Sequence, residues 1–254
     1  MSQLKQTVSI ASLCLATLFA SPFTMAANPI VTPQVTCGSA SSQVLQGGFV
    51  VSLTCDGKRI SGIGTTMDTA TSNANAIASL LQYDVRCSYS SYSGGPGAFV
   101  VSFGCSRPNS DGTTGRSSHV GGVGTTLTDA GNNIFGFAQL YAASNGYRCD
   151  SSETKVIPGG YITNFGCGYP STSGGTGRAS TIGGIGSTAT DAAQNTLGFA
   201  ELGASIDRKC SIVSAGIVGA AFEVRVSCSG RSVTGYGSTL TSAGRDALLQ
   251  AQSL

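Results

Sequence analysis

Four pairs of cysteines with one common spacing constrain the fold of this chain more than any other feature. In each pair the second cysteine lies 18 positions after the first, and the pairs are Cys37 with Cys55, Cys87 with Cys105, Cys149 with Cys167, and Cys210 with Cys228. One spacing that occurs four times indicates a repeated unit and favours disulfides within repeats, because bridges between repeats would have unequal separations. A zinc site is the alternative, but no repeat has a CxxC motif or a ligand histidine, so we expect no metal.

The second cysteine of each pair ends a segment with the alternation of a β-strand. These segments read FVVSLTC, FVVSFGC, YITNFGC and FEVRVSC, and apolar residues recur at nearly every second position before the cysteine. The first cysteine follows a shorter stub, and Gly, Ser and Pro residues between the two supply a turn. Each pair therefore predicts an antiparallel hairpin with a cysteine near each open end, an arrangement that can satisfy disulfide geometry.

A glycine-rich step follows each hairpin and predicts the start of a helix. It reads G-x-G-[ST]-T at 62–66, 122–126, 184–188 and 235–239. The step lacks the lysine of a P-loop and the third glycine of a dinucleotide fingerprint, so a structural role is favoured over phosphate binding. A short third strand turning through glycine explains it better, followed by an N-cap threonine at the helix start. The predicted caps are Thr66, Thr126, Thr188 and Thr239.

These signals predict an α+β fold of four tandem β-β-β-α repeats, each a small antiparallel sheet with one helix and one disulfide. The predicted repeats span residues 35–84, 85–146, 147–207 and 208–254. The two inner repeats carry a matched insertion before the glycine step, and it contains Arg116 in one and Arg178 in the other. The packing of the four units, as a linear array, two pairs or a closed ring, stays open at this point.

Residues 1–26 have the pattern of a secretory signal peptide, with Lys5, an apolar segment and a small-x-small site that ends at Ala26. Residues 27–34 then form an N-terminal extension, which either folds onto its own chain or adds to a sheet edge of another subunit. No later apolar run reaches the ~18 residues of a membrane helix. We therefore expect an exported protein, periplasmic, extracellular or on the cell surface, with no membrane span in the mature chain and its cysteines oxidised.

One family resemblance follows from the strand and helix motifs. The pattern F-x-V-x-V, followed by G-x-G-x-[ST]-x-x-x-A, resembles the C-terminal βββα part of the double-stranded RNA-binding domain. In the family, three lysines of this region contact phosphates. The positions aligned with those lysines carry no basic residue in any of the four repeats: Met67, Asp68, Thr71; Leu127, Thr128, Gly131; Ala189, Thr190, Ala193; and Leu240, Thr241, Gly244. The resemblance therefore implies a topology, and a net charge of +2 gives no electrostatic basis for a nucleic-acid partner.

The composition favours a role without catalysis or a cofactor. The chain has one histidine, no G-x-S-x-G elbow, scattered carboxylates and no unpaired cysteine after removal of the signal peptide. Only 10% of the residues are charged, and this weakly charged surface suits a protein that assembles or adheres. We therefore expect a non-enzymatic, secreted or cell-surface structural or adhesion protein that associates with itself or with an extracellular partner.

Two other functions are compatible with the sequence. The first is a tandem module that binds an extracellular glycan or another ligand, in which Arg116 and Arg178 donate hydrogen bonds and Tyr89, Tyr92 and Tyr169 stack on sugar rings. The second is an inhibitor of a secreted or host enzyme, a role often filled by small disulfide-stapled modules. The sequence does not decide between these hypotheses.

Overall fold

The computed structural model describes residues 35–108, 118–169 and 180–254. It confirms the α+β fold of four β-β-β-α repeats. The predicted signal peptide, the extension 27–34 and both inner-insertion arginines, Arg116 and Arg178, lie outside the described residues. Each repeat contributes three strands and one α-helix: β1 (Cys37–Leu45), β2 (Gly48–Cys55), β3 (Lys58–Gly64), α1 (Met67–Ala78); β4 (Arg86–Gly95), β5 (Ala98–Ser106), β6 (Ser118–Gly124), α2 (Leu127–Ala143); β7 (Arg148–Ile157), β8 (Gly160–Gly168), β9 (Ser180–Gly186), α3 (Ala189–Ile206); β10 (Cys210–Val218), β11 (Ala221–Cys228), β12 (Arg231–Gly237), α4 (Leu240–Gln252).

Each sheet is antiparallel, and its second strand lies in the middle. The two cysteines of every repeat are direct partners in the register of the first and second strands. All four disulfides form within their repeats, with Cα–Cα distances of 3.9–4.1 Å. The pairing predicted from the common spacing is therefore confirmed, because the antiparallel register, with one irregularity in each first strand, places the two cysteines opposite each other. The bonds join Cys37 to Cys55, Cys87 to Cys105, Cys149 to Cys167, and Cys210 to Cys228.

The outer repeats connect their second and third strands by two-residue turns. Asp56 and Gly57 form one turn and Ser229 and Gly230 the other, and all four residues have positive φ angles. Positive φ at both central residues is typical of the type I′ turn, whose twist matches that of the flanking strands. The inner repeats carry their insertions at this same place.

The four predicted threonines are the N-caps of the four helices. The side chain of each cap accepts a hydrogen bond from the backbone N–H three residues later, for example from Asp129 N–H to Thr126 Oγ1 at 3.1 Å. A short 3-10 helix, Ser79–Tyr83, extends α1 beyond the single helix predicted for the first repeat. The caps fix where each helix begins, because they satisfy backbone donors that the first turn leaves open.

The glycine-rich step lets the third strand lie directly on the helix. A Cβ atom at Gly184 would collide with the backbone nitrogen of Thr196 and the carbonyl oxygen of Ala192. Gly62 and Gly235 meet the backbones of their own helices in the same way. The alanine that recurs four residues after each cap is fully buried at this contact. The repeated glycines and alanine therefore have a packing role.

The four repeats pack in sequence order. Consecutive helices are neighbours, and the third strand of one repeat lies beside the first strand of the next. Between the second and third repeats, the rings of Phe137 on α2 and Phe165 on β8 stack with centroids 4.6 Å apart. The array has two open ends, since β1 is exposed from Cys37 to Val44 and β12 exposes Arg231, Ser232 and Tyr236. Of the three arrangements left open by the sequence, a linear array, two pairs or a closed ring, the structure has the linear array.

Candidate functional site

The tip of each of the first three hairpins rests on the following repeat. A side chain added at Gly47 would meet the ring of Phe99, and one added at Gly159 would meet the ring of Phe222. At Gly97 the neighbour is the hydroxyl of Tyr161. The last tip differs, because an atom added at Gly219 would meet nothing within 4 Å. The hairpin side of the array is therefore a row of three junctions and one free tip.

A second set of contacts joins the helix starts of neighbouring repeats. The N–H of Thr65 donates to Thr128 Oγ1 at 3.0 Å, and the N–H of Thr125 donates to Thr190 Oγ1 at 2.9 Å. Ser187 and Thr241 form the third such pair, at 2.9 Å. In each case the second helical residue of one repeat accepts a hydrogen bond from the residue before the cap of the preceding repeat. We call Thr128, Thr190 and Thr241 the threonine ladder.

Loss of one ladder hydroxyl should weaken the array measurably. We expect Thr190→Val to lower the free energy of unfolding by about 1 kcal/mol, because the N–H of Thr125 loses its acceptor in a partly buried junction. The control is Thr181→Val, which makes the same chemical change at an exposed position of the same repeat. Chemical denaturation of the oxidised chain measures both. Equal stability of the two variants would contradict a structural role of the ladder.

The last repeat departs from the other three at the sheet positions that the next repeat would cover. Ile63, Val123 and Ile185 are fully buried, whereas Tyr236 at the same position is 53% exposed. Glu223 stands where the others have Val50, Val100 and Ile162, and Arg225 where they have Ser52, Ser102 and Asn164. These three side chains are joined, since Arg225 Nε donates to Glu223 Oε1 at 2.8 Å and Tyr236 Oη to Glu223 Oε2 at 3.1 Å. A polar network therefore covers the final sheet.

The first repeat departs from the pattern at the opposite end. Met67 is 41% exposed, whereas the corresponding Leu127, Ala189 and Leu240 are buried. Leu127 and Leu240 lie beside the hairpin tip of the preceding repeat. Thr71 takes the position of Gly131 and Gly244, where a side chain would run into the preceding repeat. Asp68 replaces the threonine of the ladder. Neither end therefore carries the residues that form the internal junctions.

An apolar pocket of about 410 Å³ opens between the hairpins of the third and fourth repeats. Ile157, Pro158 and Ile162 line it from the third repeat, and Ala215, Ile217 and Phe222 from the fourth. Three apolar side chains beside it are largely exposed, with 71% of Val156, 68% of Ile217 and 55% of Val218 accessible to solvent. The pocket has the size of a small-molecule site. Sequence reasoning missed it, because no single motif marks it.

Two of the tyrosines predicted to bind a ligand lie on β4 and take part in packing. The N–H of Gln46, at the first hairpin tip, donates to the hydroxyl oxygen of Tyr92 at 3.0 Å. Tyr89 packs edge-on against Phe103 with centroids 6.2 Å apart. Burial, with a smaller effect of the neighbouring Tyr92, raises the pKa of Tyr89. Tyr92 therefore serves the junction between the first two repeats.

The third predicted tyrosine lies at the other end of its hairpin. Tyr169 follows β8, packs edge-on against Tyr147 with centroids 5.0 Å apart, and donates to the carbonyl oxygen of Ala204 at 3.2 Å. Burial, with smaller effects of Tyr169 and Asp207, raises the pKa of Tyr147 to about 12. Tyr92 lies toward a hairpin tip and Tyr169 at an open end, so the structure does not bring them together. With both arginines outside the described residues, the glycan site stays a prediction.

One cluster contains the residue types of a serine hydrolase. Ser102 Oγ lies 3.3 Å from His119 Nδ1 and 3.4 Å from Asp150 Oδ1. In a hydrolytic triad the histidine stands between the serine and the carboxylate, whereas here the serine stands between the other two. Asp150 belongs to the third repeat and Ser102 to the second, so we interpret the cluster as part of their junction.

The positions that correspond to the RNA-contacting lysines also lie at the junctions. Thr128 bonds to the first repeat, Leu127 lies under the first hairpin tip, and Gly131 meets the carbonyl oxygen of Ile63. A repeat inside the array therefore presents this helix start to its neighbour in the chain. The packing supplies a physical reason for the absence of basic residues at these positions.

Within 35–108, 118–169 and 180–254, none of the helices combines the length and the hydropathy of a membrane span. The same residues hold no group of three metal-ligating side chains close enough to bind an ion. No protein-family model and no curated protein sequence matches the chain.

Proposed function

We propose that the protein is a non-enzymatic scaffold of the structural or adhesion type, which works outside the cytoplasm and presents the hairpin side of a single array to a partner. The observation that carries this proposal is the difference between the internal junctions and the outer faces of the first and last described repeats. All three internal junctions are closed by contacts of the chain with itself, while both ends carry different residues. Terminal repeats with a polar outer face are how repeat proteins end their arrays.

The four disulfides support the proposed location. They fit a protein of an extracellular or other oxidising compartment, where such bonds persist. A signal peptide at 1–26 would take the chain there, and the mass of the product secreted by an expressing cell tests this part. We expect a mature chain that begins at Ala27 and carries four disulfides.

The polar network at the last sheet gives a direct test of the single-array scaffold. We expect the oxidised wild-type chain to stay monomeric by light scattering over a broad concentration series, because neither end matches an internal junction. The triple variant Glu223→Ile, Arg225→Ser, Tyr236→Ile restores the internal residue types and exposes an apolar sheet face, so it should associate.

Arg225→Ser alone is the matched control, since it keeps Glu223 and Tyr236 on the face and should remain monomeric. Ordered polymers of the wild-type chain would contradict the single-array scaffold. They would direct attention to residues 27–34 and the exposed strand β1 as the means of assembly.

A further inference from the structure

The pocket between the last two hairpins occupies a place that the chain itself fills at its first junction. Tyr92 and Ala215 both stand five residues after the first cysteine of their repeats. The tip residues they face, Gln46 and Pro158, are likewise equivalent. At the first junction the phenol of Tyr92 reaches back to the tip, where it accepts the hydrogen bond from the N–H of Gln46. At the last junction Ala215 leaves the space open.

The chemistry of the tip matches this exchange. Gln46 has a backbone N–H that Tyr92 satisfies, whereas Pro158 has no N–H to satisfy. The open space at the last junction therefore has no backbone N–H from Pro158 that needs an acceptor. Its lining consists of apolar side chains and one glycine. Phe222 presents an aromatic ring to it, as Phe99 does beside the first hairpin tip.

From these observations we infer that this pocket is a binding site for a small uncharged molecule that carries an aromatic ring. The ring takes the place that Tyr92 takes in the first junction, between the third hairpin tip and the strand that carries Ala215. A ring rather than a flexible chain is favoured because Phe222 offers a second aromatic surface for stacked or edge-on contact. The exposed Val156, Ile217 and Val218 then contact the substituents of the ligand.

This inference deepens the proposed function and rests on it for the view that the hairpin side is the presenting surface. The two are tested separately, because the binding experiment needs only the purified oxidised chain. Failure of ring binding would leave the association results standing. Polymer formation by the wild-type chain would not by itself change the affinity of the pocket for an aromatic ligand.

The experiment is a titration of the oxidised chain with toluene, observed by NMR of labelled isoleucine methyl groups. The pocket contains Ile157, Ile162 and Ile217, and we expect only their signals to shift, saturably, and to show cross-relaxation with the ring protons. Ile77 and Ile134, which are buried elsewhere in the core, serve as internal controls. Cyclohexane, of similar size but without a ring current or aromatic faces, should bind severalfold more weakly.

Two variants add the same ring at equivalent positions. Ala215→Tyr should fill the pocket and reduce toluene binding at least tenfold, without lowering the melting temperature. Ser42→Tyr places a tyrosine five residues after Cys37, where no described repeat precedes the strand, and should leave binding unchanged. A gain-of-site variant completes the set, since Tyr92→Ala should bind p-cresol, the side chain of tyrosine, at the first junction.

Several results would overturn the inference. They are the absence of shifts at Ile157, Ile162 and Ile217 up to the solubility of toluene, shifts spread over all methyl groups, and binding of cyclohexane as tight as that of toluene. Shifts of these three methyls with protein concentration alone would assign the pocket to a second copy of the chain. If Ala215→Tyr fails to fold, the cross-relaxation in the wild-type chain and the titration of Tyr92→Ala still test whether the pocket binds an aromatic ring.

Discussion

Reduction of the four disulfides is expected to unfold the chain at room temperature, the largest effect of any change considered. Each repeat is a small module that buries too little surface to be stable alone. Closing a loop of this size contributes roughly 3 kcal/mol in the chain-entropy model, and a typical domain has only about 5–15 kcal/mol of stability. The free energy lost with all four disulfides should therefore exceed the stability that the contacts between repeats provide. Circular dichroism with and without reductant measures this effect.

The order of reduction provides a sharper test. Cys37 is exposed, because no described repeat precedes β1, whereas both cysteines of every other pair, such as Cys87 and Cys105, are at least 99% buried. We expect the bond between Cys37 and Cys55 to be reduced first by a low concentration of reductant, as read by alkylation and mass spectrometry. The paired variant Cys37→Ser, Cys55→Ser is the control and should keep the other three bonds. Equal rates at all four pairs, or an unchanged melting temperature after full reduction, would contradict this account.

The substitution Gly184→Ala is expected to destabilise the chain strongly. The new methyl group would collide with backbone atoms of α3 that cannot move independently of the helix. We expect a loss of about 3 kcal/mol or more in the free energy of unfolding, at or above the upper range for overpacked cores. The third repeat contacts a neighbour on each side, so the displaced helix also disturbs both junctions.

Gly95→Ala is the matched control, because it makes the same change at the end of β4, where the added methyl group would meet no atom within 4 Å. Thermal and chemical unfolding of both variants decide the question. Wild-type stability of Gly184→Ala would mean that the glycine-rich step is not a packing contact, and a role in binding phosphate would have to be tested directly.

The outer faces of the first and last described repeats differ from the internal junctions. Inside the array the positions beside a neighbour carry small or apolar residues, such as Gly131 and Val123. At the ends the same positions carry Thr71 and Tyr236. The difference is chemical as well as steric, because Glu223, Arg225 and Tyr236 satisfy one another and leave no apolar sheet face. This arrangement favours a scaffold that remains a single copy while its hairpin side stays accessible.

One aligned position among the four repeats points to the pocket, although no motif includes it. The column five residues after each first cysteine reads Ser42, Tyr92, Thr154 and Ala215. A position that changes from a phenol to a methyl group indicates a change in packing, and that signal was present in the sequence. Its meaning depended on the facing residue of the preceding repeat, a relation that no pattern within one repeat contains. The buried hydroxyl of Thr154, which has no hydrogen-bond partner among the described residues, lies at the equivalent position of the third repeat.

The sequence by itself determined the α+β repeat, its disulfides and its helix caps, because these depend on contacts within about 20 to 30 residues and occur four times. Cys149 and Cys167 meet through the register of one hairpin, and Thr188 caps the helix that begins beside it. Only the tertiary structure decided that the repeats form an open array, that Tyr92 serves a junction, and that a pocket opens beside Ala215. These features depend on which faces of successive repeats meet, and that choice follows from the fit of whole surfaces rather than from any local pattern.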